Sequence, residues 1–498
     1  MINPEQYPIL IVIVPFLSAF FLSITGCFKR SLCRPIALLA LFGAAAAAVG
    51  SLHRVITTGI IHYRLGGWPP PFGIEYVIDH LNGLVLVVIT LVALLAAIFS
   101  GKSVERELPG KEPLFYALFL LLVVGLLGMT ITGDAFNLYV LLEISSLTAY
   151  ALIAIGQDRA IHASFNYLII GTIGASFYLL GVGHLYIMTG SLNMADLASI
   201  LPQLYGSKAI LTAFLLILIG VWTKMAFFPL HTWLPNSYTY APTATSCLVA
   251  PLMTKVAVYI MIRMMFSVFT PAYVFHHLAM APVVIWMAIA AIVGGSLLAL
   301  SQRDFKKMLT YLIVAEVGYM VGGIWLANRL GITGAILHIV NDAFMTLCLF
   351  LAAGTIIHRT GGHHFDNLKG LFHQMPLTMT AFTIGALSMI GVPPTAGFFS
   401  KWYLILGSIQ AGRYEFVAAL LFSSLVNAVL FFRLLEISYF EKPPHQENTA
   451  HGPVSMVAEA PLTMLVPLLV SAITLIVLGI YSGELVTKII QFAVPAGI

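Results

Sequence analysis

Glu143, Lys224, Lys255 and Lys401 each stand inside a long apolar stretch of a 498-residue sequence. A charge at the centre of a membrane-spanning helix costs roughly 2.5–3.5 kcal/mol on an insertion scale, so four of them need a reason. A proton relay supplies one. Burial disfavours the charged form of a lysine and a nearby carboxylate favours it, so a small change of distance can load or unload such a pair. Moving Glu143 toward or away from Lys224 would do this. Glu316, His338 and Asp342 are further titratable groups in apolar runs, and His338 and Asp342, spaced i, i+4, share a helix face. The competing reading is structural, with lysines snorkelling to an interface while an acid neutralises one of them. Lys255 resists it, because apolar-rich sequence flanks it at length on both sides.

Other candidates carry less. His358, His363, His364 and His373, beside Arg359 and Gly361-Gly362, read as a solvated turn rather than a metal site, and the segment from Glu441 to His451 reads as an ordinary loop. The four cysteines, Cys27, Cys33, Cys247 and Cys348, include no close pair and no metal-type spacing, so neither a disulfide nor a metal is expected. No nicotinamide, flavin or iron–sulfur motif is visible. No catalytic residue and no cofactor are therefore expected, and any redox chemistry would belong to partner proteins.

The elements that must hold these charges follow from composition. Apolar residues make up 60% of the chain and charged ones 9%, against roughly 25% in a soluble domain. The expected fold class is an all-α polytopic membrane protein, one membrane domain over 1–498, with helices near 8–26, 35–52, 80–100, 113–131, 135–155, 162–188, 209–234, 240–266, 278–300, 307–327, 332–357, 377–408, 413–438 and 461–482. No Lys or Arg precedes the run from Pro8 to Gly26, so it reads as a first span rather than a cleaved signal. Phe227-Phe228-Pro229 and Val392-Pro393-Pro394 should break helices 7 and 12, since proline lacks the backbone donor. Breaks at corresponding places point to an inverted repeat, with units 113–266 (helices 4–8) and 278–438 (helices 9–13). Loops after odd-numbered helices hold twice as many Lys and Arg as those after even-numbered ones. That bias predicts a cytoplasmic loop from Lys102 to Glu112 and both termini outside the cytoplasm. A net charge of +4 spread through loops lacks the basic stripe of a nucleic-acid binder.

Four stretches carry a family resemblance. WTKMAFFPLHTWLPNSYTYAPTATS from Trp222 to Ser246, QRDFKKMLTY from Gln302, HIVNDAFMTLCLFLAAG from His338 and IGVPPTAGFFSKWY from Ile390 resemble the antiporter-like membrane subunits shared by Mrp-type cation/proton antiporters, respiratory complex I and membrane-bound hydrogenases. The resemblance runs from about Leu114 to Phe440. It implies fourteen helices, two inverted five-helix units and a hydrophilic axis at the membrane midplane. Glu143 falls on the family's helix-five glutamate, Lys224 on its helix-seven lysine, Lys255 on its helix-eight lysine, His338 on its helix-eleven histidine and Lys401 on its helix-twelve lysine. Departures are Asn236-Ser237 where Asp-Ala is usual, Asp342 and Thr346 where many members have a second histidine and a lysine, and Glu316 where helix ten often has histidine or a neutral polar residue.

The chain ends soon after helix fourteen without a long lateral helix, which makes the D-type subunit of Mrp antiporters or a medium-sized complex I subunit the better match. The function this implies is a proton/cation-translocating subunit of a multisubunit cation/proton antiporter in a bacterial or archaeal plasma membrane. The alternative is the same machine in a complex I-type oxidoreductase or membrane-bound hydrogenase. Expected partners are other membrane subunits, protons with sodium or another monovalent cation, and the lipid bilayer. A quinone-reactive subunit has only scattered aromatics to support it. A passive scaffold would gain nothing from five buried charges. Finally, the step from Glu143 to Glu316 matches that from Lys224 to Lys401 within about one helical turn, which predicts that Glu316 partners Lys401.

Overall fold

The computed structural model describes residues 4–441 and 459–495. Of the expected loop from Glu441 to His451, all but Glu441 lies outside the described residues. Spanning helices are numbered α1 to α14 in chain order: α1 Tyr7–Phe28, α2 Cys33–Thr58, α3 His80–Glu107, α4 Glu112–Ile131, α5 Ala135–Ala154 and α6 Ala160–Thr189. Helix α7 is split into α7a Lys208–Lys224 and α7b Leu234–Tyr240, followed by α8 Thr243–Arg263, α9 Ala281–Leu300, α10 Phe305–Trp325 and α11 Arg329–Thr360. Helix α12 is likewise split into α12a Pro376–Ile390 and α12b Ala396–Gln410, ahead of α13 Tyr414–Phe440 and α14 Leu462–Ile480. Among the described residues, twelve unbroken helices are long and apolar enough to cross a bilayer, and the two broken ones complete the expected set.

Side-chain caps start several of these helices where the apolar runs begin. Asp79 accepts from the backbone N–H groups of Leu81 and Asn82, and the Asn82 side chain accepts in return from the Asp79 N–H, closing a capping box on α3. Asp134, Asp304 and Asn328 cap α5, α10 and α11 in the same sense. Prolines in the first turn of α4, α9 and α12a sit where no amide donor is needed. Several helices outrun the apolar runs. Helix α3 continues to Glu107, its exposed end carrying the i, i+3 pair Lys102–Glu105, because a helix need not stop where hydropathy falls. Helix α8 starts at Thr243 rather than 240, and Leu234–Tyr240 belongs to the broken helix before it. The segment between α2 and α3 holds an antiparallel hairpin, Ile61–Arg64 with Glu75–Ile78, that hydropathy does not reveal.

Burial separates an axis from a periphery. The most apolar windows of α8 and α11 are wholly buried and that of α10 is 94% buried, against 33% in α1 and 39% in α6. Leu17, Phe20 and Phe21 on α1 and Ile161, Phe165 and Ile187 on α6 point outward, as lipid-facing side chains do. The polar residues do the reverse, so the fold wraps apolar helices around a central charged seam formed by α8, α10 and α11.

The two breaks leave carbonyls without helical partners, and each finds another donor. After α7a the chain passes through Ala226 at φ 57° and a cis Phe228-Pro229 bond. The Phe227 N–H reaches Trp222 O at 3.0 Å, and the Trp233 indole N–H reaches Thr223 O at 3.0 Å. After α12a the chain turns at Gly391, φ 95°, a left-handed conformation that favours glycine, before a cis Pro393-Pro394 bond. There a side chain from beyond the break supplies the donor.

Candidate functional site

The seam begins on α5, where Glu143, Ser146 and Tyr150 follow one another at helical spacing and face the end of α7a. Lys224 is the last residue of α7a, and its Nζ stands 4.0 Å from Glu143 Oε1. The ammonium donates instead to Ser146 Oγ at 2.7 Å and to Tyr150 Oη at 3.4 Å. Glu143 Oε1 is buried and without a hydrogen-bond partner. The pair is therefore adjacent but open, with a hydroxyl in the closer position.

Farther in, Lys255 of α8 and Asp342 of α11 approach to 2.7 Å, with side chains 2% and 0% exposed. The contact is close in distance but outside hydrogen-bond geometry for Asp342 Oδ2, and the Lys255 ammonium donates to Ala250 O and Thr346 Oγ1. Thr346, one turn past Asp342, donates to Asp342 Oδ1 at 2.9 Å and so ties the pair into one network.

One turn before Asp342, His338 holds Glu316 of α10 on one nitrogen and Ser400 of α12b on the other. Nε2 lies 2.5 Å from Glu316 Oε2, and Nδ1 lies 2.9 Å from Ser400 Oγ. The Tyr319 ring packs 5.3 Å from the imidazole. This overturns the expected partnership of Glu316 with Lys401. The residue after Ser400 turns away, and Lys401 Nζ donates to Met389 O at 2.7 Å, Ile390 O at 3.4 Å and Ser424 Oγ at 3.3 Å, over the face of Tyr319. Among the described residues no carboxylate lies within ion-pair distance of Lys401. The ammonium instead occupies the C-terminal end of α12a, where the helix dipole and unpaired carbonyls favour a cation. Equal sequence steps mislead here because Lys224 precedes its break whereas Lys401 follows its own.

The seven sequence-selected residues thus fall into three acid–base pairs plus a lysine on helix-end carbonyls, all but Glu143 with buried side chains. Hydropathy does not single out the hydroxyls and rings that complete it, Ser146, Tyr150, Tyr319, Thr346, Ser400 and Ser424. For Ser146, Tyr150, Tyr319 and Thr346, helical spacing from a charge on the same helix is the signal that could have found them. Such an arrangement can accept, hold and pass protons, and its i, i+4 link through His338 and Asp342 joins the outer groups to the central pair. Among the described residues no cluster of three or more His, Cys, Asp or Glu is suited to a metal ion.

Comparison with known proteins places the chain among relatives of the same fold. The family described as NADH:quinone oxidoreductase/Mrp antiporter, TM, matches residues 132–427. The chain is 45% identical over 497 residues to the N-type subunit of the NADH-quinone oxidoreductase of Desulforudis audaxviator (strain MP104C), covering 98% of each. It is 30% identical over 459 residues to the D-type subunit of the Na(+)/H(+) antiporter of Bacillus subtilis (strain 168), covering 90% of each. A chain of the membrane-bound sulfane sulfur reductase, an archaeal respiratory membrane complex, shares 32% identity at a TM-score of 0.87, covering 98% of this chain and 96% of that one. A chain of the Mrp complex from Dietzia sp. DQ12-45-1b shares 25% identity at a TM-score of 0.87, covering 99% and 97%.

Proposed function

Because the chain belongs to the NADH:quinone oxidoreductase/Mrp antiporter family of membrane subunits, we propose that it is the proton/cation-translocating subunit of a multisubunit cation/proton antiporter. The observation that carries the proposal is the set of charges held inside the helix bundle, Glu143–Lys224, Lys255–Asp342, Glu316–His338 and Lys401. Glu143 sets whether Lys224 holds its proton, and at 4.0 Å with Ser146 interposed it has room to close or withdraw. Lys255 is the central store, balanced by Asp342. His338, oriented by Glu316 and Ser400, passes charge toward Lys401, which stands at the second helix break. Na+ or another monovalent cation moves in exchange.

The units 113–266 and 278–438 act as two opposed halves, each with one broken helix. The segment from Lys102 to Glu112, the end of α3 and the turn into α4, faces the cytoplasm of a bacterial or archaeal cell, and the termini face away. The chain works beside other membrane subunits. A second reading, a proton-pumping subunit of a complex I-type oxidoreductase, is favoured by the 45% identity to the oxidoreductase relative, above the 30% to the antiporter one. The relay is common to both, and the proteins that co-purify with the chain separate them.

The test is transport by the intact complex in sealed vesicles at matched expression. Lys224→Ala and Glu143→Ala should each abolish ion movement while the protein still inserts. Activity near wild type in either variant would refute the pair's role.

A further inference from the structure

Two arginines with no acid of their own stand where α2 begins. Arg30 lies in the turn before α2 and is exposed, and Arg34 lies in the first turn of the helix. Among the described residues neither forms an ion pair, and Arg30 makes no hydrogen bond. Arg34 Nη2 donates to Ile98 O of α3 at 2.8 Å, while its buried Nε has no partner. A Cβ on Gly101 would come within 2.5 Å of the guanidinium carbon and 2.8 Å of Nε, so this glycine is what lets the group lie against α3. No side chain caps α2, and its unpaired N–H groups add positive potential at the same place.

These groups wall a cavity of about 450 Å³ between the start of α2, the end of α3 and the start of α4. Ligand pockets typically run from about 300 to 1,000 Å³. The lining is not uniformly basic, because Glu105 and Glu112 belong to it too. Glu105 is taken, being paired with Lys102 at 2.7 Å. Glu112 is only half satisfied: Oε1 accepts from the Gly110 N–H at 3.2 Å, but Oε2 is buried with no partner. A carboxylate oxygen in that state calls for a donor that the chain does not supply. The cavity thus offers a seat for an anion on the arginines and one for a cation on Glu112. A lone phosphate or a metal ion would satisfy only half of it, whereas a zwitterion satisfies both.

Position says what carries the two charges. The cavity lies where three spanning helices end, at the boundary between bilayer and water, and Pro35, Leu38 and Val104 make up its apolar wall. Leu39 and Phe42 on α2 and Leu114 on α4 are exposed, as side chains covered by acyl chains are. Basic pockets between spanning helices suit phospholipid headgroups.

We propose that this cavity holds the headgroup of one phospholipid bearing a primary ammonium, phosphatidylethanolamine, with its phosphodiester on Arg30 and Arg34 and its ammonium on Glu112. The arginine fork matches two phosphate oxygens. An ethanolamine ammonium has N–H groups to give the carboxylate, which a choline lacks. A lipid so held ties α2 to α3 and α4 at one end of the bundle, apart from the proton relay.

The test uses the intact complex in detergent, washed to low lipid, with native mass spectrometry counting the lipid it takes up. The probes are dioleoyl phosphatidylethanolamine, phosphatidylglycerol and phosphatidylcholine, and inorganic phosphate. Wild type should bind one phosphatidylethanolamine about tenfold or more tighter than Arg30→Gln does, and assembly should be unchanged because Arg30 bonds to nothing in the chain. Glu112→Gln should bind phosphatidylethanolamine and phosphatidylcholine alike, and excess phosphate should not displace the lipid. Equal uptake by wild type and Arg30→Gln would mean that the arginines and acids of the cavity neutralise one another, and would overturn the proposal. So would phosphatidylglycerol binding as tightly as phosphatidylethanolamine, displacement by phosphate, or an unchanged headgroup preference in Glu112→Gln. Lipid uptake needs no transport, so full activity in Lys224→Ala would sink the relay while leaving this site to be judged on its own.

Discussion

Lys255 and Asp342 lie 2.7 Å apart at the only place where α8 and α11, whose most apolar windows are wholly buried, bring opposite charges together among the described residues. Removing one partner of a buried pair strands the other and typically costs about 3–5 kcal/mol, whereas replacing both with apolar residues can be neutral. Asp342→Asn should therefore lower the thermal stability of the complex sharply. Lys255→Met with Asp342→Leu should recover much of that stability but no transport. Transport by the double variant would show the pair to be structural alone.

Glu316 is in direct contact with His338 and not with Lys401. Glu316→Gln should reduce transport about tenfold or more and displace its pH optimum, and His338→Gln should do the same. Because one contact joins them, the double variant should be no worse than the poorer single one. Additive losses in measured flux would separate the two residues and restore an independent role for the acid.

Orientation can be read by labelling single cysteines. Lys102→Cys should react with an impermeant reagent only from the cytoplasmic face, and Thr487→Cys only from the other. Labelling of both from the same face would mean that the charge bias was misread.

At the head of α3, Asp79 joins α3 to α8 through Arg263, 2.7 Å away. Burial would raise the Asp79 carboxyl, but Arg263 and the Leu81 and Asn82 N–H groups hold it below its ordinary value. A depressed carboxylate contributes stability above its unfolded value, about 3.9, and loses it as pH falls through the lower folded value. Asp79→Asn should thus cost about 1–2 kcal/mol near neutral pH, and the gap in melting temperature from wild type should narrow below about pH 4. A gap that stays constant with pH would mean that the carboxylate charge does not matter.

Spanning helices, both breaks and the seven ionisable positions within the helices are legible in the sequence, because apolar runs of bilayer length and isolated charges within them are visible without tertiary information. Partner choice is not. Glu316 could be matched to Lys401 by counting, but Lys401 lies beyond its break and turns toward Met389 O, leaving Glu316 to His338. Lys306 reads as a loop charge because it stands at the edge of an apolar run, and only the packing of α3 and α8 around it makes it buried. The hairpin at Ile61–Arg64 escapes for a similar reason, being four residues a strand with pairing that no periodicity announces.

The two interrupted helices are fastened across their hinges by different chemistry. Across the first, an indole from Trp233 clips the preceding half-helix at Thr223 O, and an indole N–H does not exchange its charge state in water. Across the second, the clip is the Lys401 ammonium on Met389 O, beside the Asn427 amide, and its charge-assisted bond weakens when the lysine loses its proton. One joint is thus indifferent to protonation and the other is strongest while Lys401 is charged. Motion driven by ion occupancy should therefore concentrate between α12a and α12b, and a distance measured between spin labels on those halves should lengthen in Lys401→Met while the α7a–α7b distance stays put.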